Sequence, residues 1–200
     1  MMYTYKTDES NYCYKGTNIL INKAGLKTKE ALEKLEKDIV TYRLFELMQI
    51  GITGEFDKHH LISIHKKLFG DIYDFAGEYR NENIAKGSFL FSNCEFIDYS
   101  LDEIFKDLAE DIKTKAFEKQ NKEEIAKKLA YYYAEINVVH PFREGNGRAT
   151  REFLRQLALK YGYILDFTKI PAKDILVASI KSITDITELT EIYKKGLRKA

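Results

Sequence analysis

The chain has 200 residues, with 32 lysines and arginines against 31 aspartates and glutamates, for a formal net charge of +1 at pH 7. That length suits one domain with a substantial core. The balanced, interspersed charge excludes a nucleic-acid binder that works through a large positive surface. Two cysteines far apart, Cys13 and Cys94, offer no disulfide framework and no metal spacing. No apolar run is long enough to span a bilayer, and the first residues lack the apolar core of a leader. The expected setting is a reducing cytoplasm with no membrane contact. Export by a specialised secretion machine would leave no such mark and stays open.

Residues 1–26 are polar and aromatic with turn residues, and read as an irregular segment pinned by Ile19, Leu20 and Ile21. Leu32, Leu35, Ile39, Tyr42, Leu44, Phe45 and Met48 then recur at helical spacing, which predicts a long amphipathic helix over 28–48 with Thr28 as its cap. Gly51 and Gly54 break it. Asp57 can cap a second helix over 58–68, which carries His59, His60 and His65. Five residues between His60 and His65 is not one helical turn, so a structural role is expected rather than a metal site.

Glycines at 70, 77 and 87 interrupt the pattern, and Phe89-Leu-Phe91 has strand character. On the residues alone, 83–94 favours an ordinary surface loop over a short β-hairpin or extended flap. Ser100-Leu-Asp-Glu103 has the capping-box form ahead of Ile104, Leu108 and Ile112, and Asn121-Lys-Glu-Glu124 repeats it. The helix after Asn121 runs to about Val139 with Ile125, Leu129, Tyr132 and Ile136 on one stripe.

That helix delivers the stretch His140-Pro-Phe-Arg-Glu-Gly-Asn-Gly-Arg-Ala-Thr-Arg151. The glycines at 145 and 147 allow backbone angles that a side chain forbids and let a ligand approach the main chain. A glycine-rich turn opening a helix aims unpaired N–H groups at one spot, which suits phosphate. Arg148 and Arg151 are three apart, on one face near the first turn, and their planar donor arrays suit phosphate too. Glu144 can hold a divalent cation such as Mg²⁺ beside phosphate oxygens. His140 can take a proton near neutral pH. Any one of these residues would read as a helix cap, a surface arginine or a core histidine. All of them at this spacing read as a nucleotide-phosphate site with a base beside it.

Beyond the motif, Phe153, Leu154, Leu157, Ala158 and Tyr161 form an apolar arc opposite Arg148, Arg151 and Arg155. Gly162 closes that helix. Pro171 opens another over 171–182, and a last one covers 186–197. The expected fold is an all-α helical bundle with one small β flap.

His-Pro-Phe-x-Glu-Gly-Asn-Gly-Arg-x-x-Arg resembles the signature of Fic-domain proteins, with every defining position filled. Gly16-Thr-Asn-Ile-Leu, Tyr73-Asp-Phe-Ala-Gly-Glu-Tyr-Arg80 and Ile84-Ala-Lys-Gly-Ser-Phe89 are similar to the same family, so the resemblance spans roughly Gly16 to Leu197. It implies a single Fic domain over residues 1–200, with a flap over 83–94 and the active-site motif over 140–151.

The resemblance also implies a reaction, the transfer of AMP from ATP to a hydroxyl of a target protein. His140 would be the base for that hydroxyl. Glu144 would hold Mg²⁺, Asn146 the α-phosphate with the amides of Gly145 and Gly147, Arg148 the β-phosphate and Arg151 the γ-phosphate. Phe142 would point inward and fix the loop. The flap, with Lys86, Gly87 and Ser88, would pair with the main chain of the target. A relative with lysine at the position of Gly147 is a kinase, so Gly147 favours nucleotidyl transfer. Other readings of the same site are a phosphotransferase, an enzyme removing AMP, or a non-catalytic nucleotide-binding module.

Many relatives carry a Ser/Thr-x-x-x-Glu-Gly/Asn helix that blocks the second arginine. Residues 1–56 have none, and Thr184-Asp-Ile-Thr-Glu188 has the spacing but is followed by Leu189. The expected inhibitor is therefore a small antitoxin acting in trans on Arg151, with Glu188 as a cis-inhibitory candidate. A bacterial toxin of this kind would have a protein target, for which family precedent includes type II topoisomerase subunits, preferred here, and small GTPases for secreted members.

Overall fold

A computed structural model of the chain describes residues 10–87, 89–118 and 121–200 and places seven α-helices among them. They are α1 (Lys29–Ile50), α2 (Lys58–Phe69), α3 (Ile97–Lys113), α4 (Lys122–Val139), α5 (Asn146–Lys160), α6 (Ala172–Lys181) and α7 (Thr187–Gly196). The helical bundle anticipated from periodicity is present. Helix α4 is its axis. Leu129, Ala130, Tyr133 and Ile136 are buried on it, and α3, α5 and α7 pack around it. Helix α2 packs on α5 and carries α1 on its other side.

Side-chain caps set two of the helix starts. Asn121 forms a capping box: its Oδ1 accepts from the N–H groups of Glu123 and Glu124, and Glu124 returns a bond to the Asn121 N–H. Asp57 Oδ1 accepts from the His60 N–H at 2.8 Å and starts α2. Thr28 stands at the cap of α1 in extended geometry, but its side chain makes no capping bond. Gly162, at φ 77°, turns the chain out of α5.

Three expectations are corrected. Helix α3 starts at Ile97, so Ser100 lies inside it and not at its cap. Asn93, whose Oδ1 accepts from the Glu95 N–H, opens a 3-10 turn over Cys94–Phe96 that runs straight into α3. Buried Ile97 and Leu101 extend the apolar stripe upstream of Ile104. On α1 the packed face carries Leu32, Val40 and Leu47, while Tyr42, Phe45 and Met48 are each more than half exposed. That helix is apolar on more than one side, so periodicity alone did not select the buried face.

The β structure is larger than one flap. Strands β1 (Ala85–Lys86) and β2 (Phe89–Leu90) pair antiparallel, Ala85 opposite Leu90, as the expected flap. A second two-stranded sheet joins β3 (Tyr163–Leu165) to β4 (Leu197–Lys199), with Leu165 opposite Leu197. Tyr163, Leu165 and Leu197 are buried. Three residues per strand are too few to register as a period-two pattern.

Residues 10–28 are irregular, as expected, and are tied down at several points. Cys13 bridges to Leu20, and Asn22 closes its turn by bonding Leu20 O, Leu26 O and the Leu26 N–H. Ser10 and the Asn11 N–H donate to Glu82 at the flap base. Both cysteines are free thiols. Among the described residues no helix is long and apolar enough to cross a membrane.

Candidate active site

Helix α4 ends at His140, in left-handed geometry (φ 50°, ψ 61°) with its N–H still bonded to Ile136 O. The chain reverses through 141–145 and enters α5 at Asn146. A cavity of about 480 Å³ opens over this turn. Its floor carries His140, Glu144, Gly145, Asn146, Gly147, Arg148 and Arg151. The flap supplies Lys86, Gly87, Phe89 and Phe91 on one side, and apolar residues of α6, including Ile175 and Leu176, form another wall.

The imidazole of His140 is buried and stacks on Phe91, with ring centres 3.9 Å apart. Its Nδ1 lies 3.1 Å from Asn137 O. A carbonyl only accepts, so the ring proton sits on Nδ1 and Nε2 carries the lone pair. Burial, with smaller contributions from the Arg80 and Lys86 charges, pushes His140 down to about 3. The ring is therefore a neutral base at any pH near 7.

Gly145 makes the turn possible, and Gly147 keeps room beside it. Gly145 sits at φ 81°, and a Cβ there would lie 2.3 Å from the Phe69 ring. A Cβ on Gly147 would lie 2.9 Å from Arg151 Nη1 and 3.4 Å from Tyr133 Oη. Asn146 is buried, with its amide turned back onto the loop. Oδ1 accepts from the Phe142 N–H at 2.8 Å and Nδ2 donates to Phe142 O at 2.7 Å. Its side chain thus closes the turn. The N–H groups of Asn146 and Gly147 bond to nothing among the described residues, at the positive end of the α5 dipole. Phe142 is fully buried and stacks on His65 at 3.8 Å, the inward anchor that the motif suggested.

The arginines differ in their tethering. Arg148 donates to Glu36 Oε1 from Nη1 at 2.6 Å and to Glu144 Oε1 from Nη2 at 3.2 Å. Burial disfavours its charge, but the two carboxylates more than offset this and its pKa is raised. Arg151 donates to Tyr133 Oη at 3.4 Å, a hydroxyl that lies 3.2 Å from Ser179 Oγ. It forms no ion pair with a carboxylate among the described residues. Glu144 lines the cavity and accepts from the Gly145 N–H at 2.9 Å. Among the described residues no cluster of three or more His, Cys, Asp or Glu could cage a metal. One carboxylate beside open helix-start amides fits the donor set that Mg²⁺ takes when it shares a site with nucleotide phosphates.

Two flap residues named from the sequence, Lys86 and Gly87, line the cavity, with Gly87 at φ 61° in the hairpin turn. Ser88 lies outside the described residues. Glu188 does not join the group: it pairs with Lys181 on the surface and is absent from the cavity lining.

Several residues that hold the site were not assigned to it from sequence. Arg80 is almost fully buried and donates to four carbonyls, those of His140 (2.8 Å), Val139 (3.1 Å), Glu82 (2.7 Å) and Ser92 (2.5 Å). His65 donates from Nε2 to Glu144 O and accepts the Gly77 N–H at Nδ1, both at 2.9 Å. Tyr73 Oη donates to Glu36 Oε2 at 2.5 Å. Arg80 and Tyr73 end and begin a stretch already singled out, and a buried arginine in it was the available signal. Nothing in the sequence pointed to Glu36, one of many charged residues on α1.

The Fic/DOC family profile matches residues 55–158. The protein adenylyltransferase VbhT of Bartonella schoenbuchensis is 36% identical over 181 residues, which are 90% of this chain and 37% of that one. The chain therefore spans little more than a third of that relative. The probable protein adenylyltransferase y4lH of Sinorhizobium fredii is 34% identical, with 92% of this chain and 93% of the relative covered. Among solved structures, the BepC protein of Bartonella tribocorum with bound AMPPNP superposes with a TM-score of 0.86 at 24% identity, covering 95% of this chain and 97% of that one.

Proposed function

The chain belongs to the Fic/DOC family, and from that premise we propose that it is a protein adenylyltransferase that moves AMP from ATP to a hydroxyl of a target protein, with residues 1–200 acting as one Fic domain. The observation that carries the reading is a neutral base in the same cavity as a phosphate cradle. His140 offers its Nε2 lone pair beside the open amides of Asn146 and Gly147, with Arg148 and Arg151 on the same turn. The curated relatives bear the name protein adenylyltransferase.

Each residue then has a task. His140 takes the proton of the target hydroxyl as its oxygen bonds to the α-phosphorus and the bond to the pyrophosphate oxygen breaks. The main-chain amides of the turn hold the α-phosphate, Arg148 the β-phosphate and Arg151 the γ-phosphate. Such transfer depends on positioning and on charge stabilisation, which fixed donors supply. Glu144 would hold Mg²⁺, which neutralises phosphate charge when bound. Lys86, Gly87 and neighbouring flap residues would pair with the target backbone by strand addition. The apolar wall from α6 suits the base of the nucleotide.

The same reading extends to regulation and setting. Arg151 faces the cavity without a carboxylate partner among the described residues, while Glu188 is tied to Lys181. Inhibition then comes from a small antitoxin whose carboxylate reaches Arg151. A bacterial cytoplasmic setting and a type II topoisomerase subunit as target go with that reading.

The test is the mass of the modified protein after incubation with ATP, Mg²⁺ and a bacterial lysate. Addition of an adenylyl group to a protein band supports the proposal. Addition of phosphate would make the chain a phosphotransferase and overturn the argument from Gly147.

A further inference from the structure

We propose that Glu36 and Tyr73 are positioning residues that hold Arg148 for phosphate and keep it from closing onto Glu144. The inference rests on the nucleotide reading of the cavity and adds to it a residue from α1, a helix that supplies nothing to the turn itself.

The geometry is a chain of contacts from the interior outward. Tyr73 Oη donates to one carboxylate oxygen of Glu36 at 2.5 Å, and the other oxygen accepts from Arg148 Nη1 at 2.6 Å. Tyr73 is buried, and burial together with the Glu36 charge raises its pKa, so it remains a donor. Arg148 and Glu144 line the cavity; Glu36 and Tyr73 do not. Glu36 therefore grips the guanidinium from behind. Phe69 supports the same guanidinium from one face, at 4.7 Å from the ring centre.

An arginine and a carboxylate left to themselves prefer the two-pronged pair. Glu144 is four residues before Arg148, one turn away, and already receives a single bond from Nη2. Without Glu36, Nη1 is released and the guanidinium can pair with both oxygens of Glu144. That would occupy the carboxylate proposed for Mg²⁺ and withdraw the arginine from the phosphate. With Glu36 present, two carboxylates share one guanidinium, and Glu144 keeps capacity for a cation. A competing role is a block, in which Glu36 occupies Arg148 and excludes phosphate. The placement of Glu36 behind Arg148 argues for support.

The experiment is calorimetric titration of the purified chain with ADP and with AMP in the presence of Mg²⁺. The wild type should bind ADP more tightly than AMP, because only ADP offers a β-phosphate to Arg148. Glu36→Gln should weaken ADP about tenfold, equal to about 1.4 kcal/mol, and leave AMP within about twofold. Tyr73→Phe should act in the same direction and less. Glu36→Gln combined with Arg148→Ala should be no worse than Arg148→Ala alone, since both act through one group.

Tighter ADP binding by Glu36→Gln would make Glu36 a block and overturn the proposal. So would unchanged ADP binding, or equal weakening of ADP and AMP, which a purely structural role produces. Should Glu36→Gln fail to fold, Tyr73→Phe, which removes one hydroxyl, decides by the same criteria. A wild type that does not distinguish ADP from AMP would sink the nucleotide reading itself, and this inference with it.

Discussion

The guanidinium of Arg80 donates to the carbonyl of His140 at 2.8 Å, so a buried cation is bonded directly to the backbone of the proposed base. The same group bonds Val139 O at the end of α4, and Glu82 O and Ser92 O on either side of the flap. One side chain thus fixes the base, the helix end and both flap ends together. Its donors complement the carbonyls and negative dipole left at a helix C-terminus.

Arg80→Ala should therefore lose stability and activity together. Each buried carbonyl left unpaired costs about 1–3 kcal/mol, so urea denaturation should show a loss of at least about 3 kcal/mol. Arg80→Lys, a point donor in place of a fork, should recover only part of it. A near-normal midpoint for Arg80→Ala would contradict the clamp.

Acid should unfold the protein from within the site. Burial pushes His65 down to about 4 and His140 down to about 3, both below the unfolded value of about 6.5. The unfolded chain then binds the proton more readily, so stability is fully present above about pH 6.5 and is lost as pH falls. The loss for His65 continues down to about 4, and that for His140 to about 3, at up to about 1.4 kcal/mol per pH unit for each ring. Thermal melts between pH 7.5 and 4.5 should show Tm falling below pH 6.5; a flat Tm would contradict the neutral rings. His65 has no room for a second proton, because Nδ1 already accepts the Gly77 N–H.

The two glycines of the turn should fail differently. Gly145→Ala meets the Phe69 ring at 2.3 Å in a left-handed backbone position. It should cost about 2–4 kcal/mol from strain and overpacking combined. Gly147→Ala meets the mobile end of Arg151, at 2.9 Å, which can move aside. It should fold nearly as well as the wild type but bind ATP more weakly. Denaturation and titration of both variants separate the two cases; equal stability losses would contradict this account.

Glu188→Ala should leave basal transfer within about twofold. Its carboxylate pairs with Lys181 on the surface, an exposed ion pair of the kind that contributes little. Strong activation by this substitution would place the inhibitor in the chain itself and remove the need for a partner acting on Arg151.

How much was legible in the sequence depended on how far each signal reached along the chain. The stretch His140–Arg151 is local, and the turn that brings His140, Glu144, Arg148 and Arg151 to one cavity could be read from adjacent residues. Asn121 and Asp57 were equally local and cap their helices as expected. Ser100 misled because its capping pattern is also compatible with a helix interior, and Asn93 supplied the earlier start. Glu36 lies 112 positions before Arg148. No spacing rule joins them, and only the packing of α1 on α2 brings them together. Residue identity in the motif did not show how the Asn146 amide is oriented; in the fold it is turned onto Phe142.

The most direct measurement is transfer of label from ATP labelled at the α-phosphate to protein, with Mg²⁺, with and without a bacterial lysate, beside His140→Ala. Labelled protein is expected with the wild type and none with His140→Ala, while γ-labelled ATP leaves protein unlabelled. Label moving only from the γ-phosphate, or surviving undiminished in His140→Ala, would contradict this expectation.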